Sequence, residues 1–272
     1  MSATMDLSII VVSYQTPDLL DACLRSLQSA EIKQHHEIIV VNNGSHDAIK
    51  AVLQKHVPAV VIQNDRNVGF GRAVNIAFQR CNGKYLLILN PDIEVFRDSV
   101  EILYDYMEGH LDAALCAPKL LNSDRTLQYS CRAYYTMSSL ILRRSILGKV
   151  FPHHPALRDY LMLDWNHSSQ REVDWALGAA FILRREAVPD GRVMDERFFL
   201  YFEDVDLCLR LRKAGWKVMY NPEAVMIHHH QRESAGHNWN RAKFEHLKSW
   251  IKFAWKHRHE PLLKLSRSKL GN

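Results

Sequence analysis

A chain of 272 residues with 47% hydrophobic and 24% charged side chains is globular rather than disordered, and has room for one large domain or two small ones. Its net charge of +5 is uneven: residues 240–272 hold nine Lys/Arg and two acids, Glu245 and Glu260, whereas residues 1–239 hold 26 basic against 28 acidic side chains. A basic tail on a faintly acidic body argues against a nucleic-acid-binding core and for a local anionic contact such as lipid headgroups. Residues 7–13 read as a buried strand, an unbroken run of β-branched and apolar side chains through Ile9, Ile10, Val11 and Val12. Pro17 opens a helix over 18–29, with Leu19, Leu20, Cys23, Leu24 and Leu27 at helical spacing. A second strand over 37–41 runs into the turn Asn42-Asn43-Gly44-Ser45. A short helix over 48–55, a strand over 59–63, a helix over 72–80 and a strand over 85–89 follow.

This alternation predicts an α/β fold with a mostly parallel sheet covered on both faces. Ligands on such sheets gather at the carboxyl ends of the strands. Three polar turns are predicted there, at Ser13-Tyr14, 42–45 and 90–92. The second half is less regular. Strands are predicted over 113–117, 176–183 and 218–220, and a helix over 206–214 stopped by Gly215. With no repeat and no clear linker, the expected division is one domain over 1–238 and a basic amphipathic helical tail over 239–272.

The longest apolar runs are far too short to cross a bilayer, and residues 1–6 carry no signal-type pattern, so a cytoplasmic location is expected. Cys23, Cys81, Cys116, Cys131 and Cys208 are scattered and odd in number, which predicts reduced, structural thiols.

The segment Phe198-Phe199-Leu200-Tyr201-Phe202-Glu203-Asp204-Val205-Asp206-Leu207-Cys208-Leu209-Arg210 places three carboxylates within four positions, in an aromatic and apolar frame. Ionised carboxylates repel one another and resist burial, so the pattern suits a site where an acid serves as a base or holds a cation. Asp206 and Arg210 lie at i,i+4 and are expected to pair on the helix surface. Asp92 follows an apolar strand directly in Leu89-Asn90-Pro91-Asp92. Mg²⁺ or Mn²⁺ takes one or two protein carboxylates plus substrate phosphate oxygens, a sparse demand that a strand-end Asp meets. In Asn67-Val68-Gly69-Phe70-Gly71-Arg72-Ala73-Val74-Asn75 a GxG precedes a helix, allowing close approach of backbone to phosphate. Val74 at the third glycine position excludes a dinucleotide fingerprint. His228-His229-His230 cannot all face one ion, because neighbours on a strand point opposite ways. A single imidazole assisting Asp92, or a solvated turn, are the two readings.

Taken in order, these pieces resemble the family 2 glycosyltransferases, the inverting nucleotide-sugar enzymes of GT-A fold, over roughly residues 6–235. Residues 8–14 resemble the opening strand of the nucleotide site. Residues 41–47 resemble the VDNxSxD segment, with Asn42 in place of the usual Asp. Residues 67–75 resemble the NxGFGxAxN segment. Asn90-Pro91-Asp92 stands at the DxD-like metal motif, with Asn90 in place of its first Asp. Residues 174–180 resemble the acceptor-side W-x-x-G-A segment, and Glu203-Asp204 the ED pair. Within the family, the LNPD and YFEDVDLCLR segments and the length are most similar to bacterial rhamnosyltransferases of O-antigen or cell-wall polysaccharide synthesis.

The resemblance implies transfer of a sugar, rhamnose from dTDP-rhamnose as the first expectation, onto a polyprenyl-diphosphate-linked saccharide. It implies Asp204 as base with Glu203 beside it. Ser13, Tyr14, Asn42, Asn43, Asn67, Gly69, Gly71, Arg72, Asn75, Asn90 and Asp92 would bind the nucleotide sugar, and Trp175, Gly178 and Ala179 the acceptor. Asp92 and His228 would hold a divalent Mg²⁺ or Mn²⁺. No nucleic-acid partner is expected. The two rivals are a nucleotidyltransferase, which needs a Gly-rich basic loop where Ser13-Tyr14-Gln15-Thr16-Pro17 stands, and a non-catalytic sugar-binding scaffold, which needs neither Asp92 nor Glu203-Asp204. Residues 132–151 and 239–256 mix aromatic and aliphatic side chains with Lys and Arg. They are expected either at the headgroup level of the inner membrane's cytoplasmic face, or packed on the core or on a second copy in a homo-oligomer.

Overall fold

A computed structural model describes residues 5–56, 59–136, 138–139, 142, 150–151, 153–229 and 241–258. The first half follows the predicted alternation: β1 (Leu7–Ser13), α1 (Pro17–Ser29), β2 (His36–Asn42), α2 (His46–Lys55), β3 (Ala59–Gln63), α3 (Phe70–Phe78) and β4 (Tyr85–Leu89). β5 (Ile93–Val95), α4 (Ser99–Gly109), β6 (Ala113–Leu121), β7 (Leu127–Gln128), β8 (Cys131–Arg132), α5 (Pro155–Tyr160), β9 (Arg171–Glu172), β10 (Trp175–Ala176) and β11 (Ala180–Arg184) come next. The described chain ends with α6 (Glu203–Lys213), β12 (Lys217–His228) and α7 (Arg241–Lys256).

The main sheet runs β3-β2-β1-β4-β11-β6-β12-β5. β3, β2, β1 and β4 are mutually parallel, β11 is antiparallel to both β4 and β6, and β12 runs parallel to β6. The carboxyl ends of β1, β2, β4 and β12 therefore lie along one edge, together with the start of β11. That edge gathers Ser13, Asn42, Asn90–Asp92, Gly178-Ala179 and His228 from five parts of the chain.

Period-two alternation divides β1 between two cores. Leu7, Ile9 and Val11 face Leu20, Leu24, Leu103 and Met107, while Ile10 and Val12 face the layer of Val74, Phe181, Leu207 and Phe253. Of the predicted boundaries that move, three do so for a visible reason. α3 starts at Phe70, with Gly69 as its cap at φ 89. The strand expected over 176–183 breaks at Gly178, giving β10 and β11. α6 begins at Glu203 rather than 206, because Tyr201 and Phe202 turn the chain with φ 69 and 72 just before it. A positive φ is costly for bulky residues, so this turn is held by its surroundings.

Those surroundings are largely α7. His246 packs on Tyr201 and Phe202, Phe253 on Phe198 and Phe202, and Ser249 Oγ donates to Leu200 O at 2.8 Å. Asp206 and Arg210 pair as expected, at 2.9 Å, but not on a surface: Asp206 has no exposure and also meets Lys256 Nζ at 2.5 Å and His257 Nε2 at 2.8 Å. All five cysteines are buried and unpaired, in line with structural thiols. In the segment 132–151, residues 137, 140–141 and 143–149 lie outside the described residues, as do 239–240 and His230. Of the rest, Tyr134 and Leu142 are buried, and Val150 and Phe151 exposed.

Candidate active site

Asp204 is almost fully buried, and both of its carboxylate oxygens are engaged. Gly178 N–H donates to Oδ2 at 2.9 Å and Val205 N–H to Oδ1 at 2.8 Å. A Cβ at residue 178 would lie 3.2 Å from Asp204 Cβ, so the close approach requires the glycine. The next residue, Ala179, accepts from Asn90 N–H at 2.8 Å. Two consecutive residues thus tie Asp204 on one side and the Asn90–Asp92 turn on the other.

Burial raises the Asp204 pKa above the ordinary carboxylate value, against the lowering effect of the two N–H donors and of the Arg132 charge. Glu203 is raised well above its ordinary value, first by burial and then by the neighbouring Asp204 charge. Its Oε2 is buried with no hydrogen-bond partner among the described residues. Burial weights Glu203 the more strongly toward its protonated form, while the two N–H donors draw Asp204 toward the ionised one.

At Asp92, His228 Nε2 lies 3.3 Å from Oδ2, and His229 N–H donates 2.8 Å to the Asp92 carbonyl. The other ring nitrogen, His228 Nδ1, lies 2.8 Å from Gln128 Oε1, and Gln128 Nε2 donates to Asn122 Oδ1 at 3.1 Å. With Gln128 Oε1 as acceptor, Nδ1 carries the hydrogen. His228 Nε2 thus faces the Asp92 carboxylate, one imidazole nitrogen and one carboxylate oxygen that a divalent cation can join. The pair fits a divalent cation whose remaining ligands come from a substrate. No group of three or more His, Cys, Asp or Glu able to hold a metal is found among the described residues. His229 points elsewhere, to Glu94 at 3.0 Å, as the strand alternation requires.

The remaining predicted residues divide into surface and scaffold. Tyr14 and Arg72 are exposed, the latter 3.8 Å from Glu196. Ser13 is buried, 3.4 Å from Thr16 Oγ1. Asn42 is buried and heavily committed: Oδ1 accepts from Gly44 N–H at 3.0 Å, and Nδ2 donates to Gln63 Oε1 at 2.7 Å and Ser45 O at 3.1 Å. Asn43 Nδ2 donates to Gly69 O and its Oδ1 accepts from Asn64. Asn67 Oδ1 accepts from Gly69 N–H, bending the loop. A Cβ on Gly69 would meet Phe199 O at 2.5 Å, and one on Gly71 Met194 Cβ at 3.0 Å. These glycines dock α3 against the 194–199 loop. Asn75 bridges the same loop, exchanging hydrogen bonds of 2.9 Å with both the N–H and the C=O of Met194. Trp175 is buried, with its indole N–H on Ala133 O at 3.0 Å, and presents its ring to the Arg132 guanidinium at 5.2 Å.

Arg132 is the site residue that sequence patterning missed. The signal was present in a basic residue ahead of Tyr134-Tyr135, but the segment's apolar character drew the reading toward a membrane surface.

Comparisons with known proteins agree with this architecture. Residues 8–161 match the family described as Glycosyl transferase family 2. The N-acetylglucosaminyl-diphospho-decaprenol L-rhamnosyltransferase of Mycobacterium tuberculosis is 29% identical over 237 residues, covering 82% of this chain and 76% of that protein. The rhamnosyltransferase WbbL of Escherichia coli K12 is 28% identical over 258 residues, covering 90% and 91%. Among solved structures, GalNAc-T7 with UDP, GalNAc and Mn2+ superposes with a TM-score of 0.67 at 14% identity, over 94% of this chain. The chain spans 48% of the length of that structure, and the likeness speaks for the GT-A fold alone. The chain belongs to glycosyl transferase family 2.

Proposed function

We propose that this protein is a metal-dependent, inverting rhamnosyltransferase that extends a saccharide carried on a polyprenyl diphosphate. The observation that carries the reading is the double tie at Gly178-Ala179, which sets the Asp204 carboxylate beside the Asp92 turn. The Mycobacterium tuberculosis relative is named for a diphospho-decaprenol acceptor and the Escherichia coli relative for rhamnosyl transfer, which supports the substrate classes.

In this reading the nucleotide lies along the edge formed by Ser13, Tyr14, Asn42 and Asn43, with the 67–72 loop and the start of α3 closing over it. Asp92 and His228 would hold a divalent cation, which when bound offsets the charge developing on the leaving diphosphate. Asp204 takes the proton of an acceptor hydroxyl as that oxygen bonds to the anomeric carbon. The bond from that carbon to the diphosphate oxygen breaks in the same displacement, the nucleoside diphosphate leaves with the bonding pair, and the centre inverts. Burial strengthens Asp204 as a base and the two N–H donors fix its direction. Glu203, neutral beside it, can donate a hydrogen bond to a sugar oxygen without repelling the base. The test is incubation of the purified chain with dTDP-rhamnose, Mg²⁺ and a synthetic prenyl-diphosphate-linked N-acetylglucosamine. The expected outcome is a product heavier by one deoxyhexose, lost on chelation of the metal. Release of free sugar with no product under these conditions counts against the reading.

α7 supports a peripheral place on an anionic membrane. Its inner face, through Ser249, Phe253 and Lys256, holds the body, while Phe244, Leu247, Ile251 and Trp255 are exposed along its outer face beside Lys248 and Arg258. An apolar stripe edged by lysine and arginine suits the headgroup boundary of acidic lipid. No described helix is long and apolar enough to cross a membrane. Sedimentation with phosphatidylglycerol vesicles is expected at low salt and reduced at 0.5 M salt, with Ile251→Glu/Trp255→Glu abolishing it. A salt-insensitive dimer without vesicle binding assigns the stripe to a second copy instead.

A further inference from the structure

We infer that Arg132 receives the diphosphate of the lipid-linked acceptor, a role that rests on the reaction proposed above. Arg132 lies on β8, in register with Trp175 of β10. Its Nη1 donates to Tyr160 Oη at 2.9 Å and its Nε to Tyr129 O at 3.3 Å. The guanidinium lies 5.5 Å from the Tyr160 ring and 5.2 Å from the Trp175 ring. No carboxylate comes within ion-pair distance of it among the described residues, and its Nη2 has no hydrogen-bond partner there. The other arginines that pack around the active-site helix are compensated: Arg197 by Asp195, Arg210 by Asp206 and Arg212 by Glu172. A half-buried cation with no carboxylate at ion-pair distance loses hydration and gains two neutral acceptors, two ring faces and the more distant charge of Asp204 in return, so the arrangement favours an anion that arrives with the substrate.

The order of contacts along residues 175–179 says which anion. Trp175 pairs with Arg132, Gly178 holds Asp204, and Ala179 holds Asn90 and with it the Asp92 turn. The base stands between the cation-binding turn and the guanidinium. Donor diphosphate belongs on the Asp92 side. An anion at Arg132 therefore lies on the acceptor side of the base, where a sugar giving its hydroxyl to Asp204 carries its own diphosphate at the anomeric carbon.

The test compares two acceptors, N-acetylglucosaminyl diphosphate on a short prenyl chain and the matching neutral prenyl glycoside. Arg132→Gln is expected to raise KM for the diphosphate acceptor on the order of 10- to 100-fold more than KM for the neutral glycoside, with donor KM unchanged, while kcat shifts alike on both acceptors because the guanidinium charge also acts on Asp204. Arg132→Lys, which keeps charge but not the planar fork, is expected to fall between. Prenyl diphosphate without sugar should inhibit the parent competitively with acceptor, and inhibit Arg132→Lys more weakly. Equal rises in KM for the two acceptors remove the diphosphate contact, and a rise in donor KM assigns Arg132 to the donor; either overturns the inference while leaving the transferase reading intact. Absence of transfer by the parent to either acceptor overturns the acceptor class itself. If Arg132→Gln does not fold, as judged by its melting curve, Arg132→Lys and the inhibition data decide.

Discussion

Asp204→Asn is expected to lower kcat by about 10²- to 10⁴-fold, the range for loss of a positioned general base, with the donor dissociation constant within about twofold of the parent. The substitution is less conservative than its shape implies. Both carboxylate oxygens accept from backbone N–H groups, at Gly178 and Val205, so an amide at 204 must turn its NH₂ against one of those donors. A stability loss of about 1–3 kcal/mol is expected alongside. Activity and melting therefore need to be read together, with donor binding as evidence that the fold persists. Glu203→Gln is the contrast. Glu203 has its pKa raised well above the ordinary value, chiefly by burial, so the fold favours the protonated side chain more than the unfolded chain does. A group of that kind costs stability increasingly as pH rises above its unfolded pKa of about 4.3. The neutral amide removes that cost. Glu203→Gln is expected to be at least as stable as the parent at pH 7, with the gap widening from about pH 4 upward, and to keep kcat within about tenfold. Thermal melts across pH and initial rates under saturating donor check both. Asp204→Asn turning over near the parent rate removes Asp204 as base; a Glu203→Gln protein as inactive as Asp204→Asn moves that role to Glu203.

The contrast between these two neighbours was only half legible in the sequence. Adjacent acids in an aromatic frame announce a site, but nothing in their order says which one meets two N–H donors. That follows from Gly178, far away in the chain, and from Tyr201 and Phe202 in a left-handed conformation that no propensity predicts for bulky residues. β1 and β4 were legible because each is a short apolar run buried on both faces. β5 and α4 were not. Ile93–Val95 is too short to carry a period, and α4 opens after Asp98 in the left-handed region with Ser99 donating to Val225 O, a tertiary contact. His228 was picked out as one of three adjacent histidines, yet its pairing with Asp92 depends on β12 running as a single strand to its end. The short prediction over 218–220 missed that continuity because Asn221-Pro222-Glu223 reads as a turn. The chain instead carries it as an irregularity in the pairing with β6.

Asp206→Ala is expected to cost about 3–5 kcal/mol, the range for removing one partner from a buried ionic cluster. For a chain of this size that corresponds to a melting-temperature drop on the order of 10 °C. Asp206 is fully buried and holds Lys256 Nζ at 2.5 Å, His257 Nε2 at 2.8 Å and Arg210 Nε at 2.9 Å. Lys256 also meets Asp195 at 2.7 Å, and Asp195 is gripped in turn by Arg197 at 2.6 Å. Burial pushes the Asp206 carboxyl pKa upward, but the hydrogen bonds of His257 and Lys256 and the charges of Lys256 and Arg210 outweigh it, so the net shift is downward. A depressed carboxylate stabilises the fold fully above its unfolded pKa of about 3.9, and the contribution disappears as pH falls through the lower folded value. The parent should therefore lose stability more steeply than Asp206→Ala as pH is lowered below about 4, and the two melting curves should converge there. The consequence reaches the active site because Asp206 lies two residues beyond Asp204 on α6, and its partner Lys256 closes the same helix that packs His246 and Phe253 on the Tyr201-Phe202 turn. Loosening α7 releases the clamp on a strained backbone that aims the base. Asp206→Ala is accordingly expected to lower kcat severalfold at a temperature where it remains folded, and to expose α7 to limited proteolysis. Full activity with a detached, protease-sensitive α7 would show that the turn before Glu203 holds its shape without the helix, and would confine the cluster to stability alone.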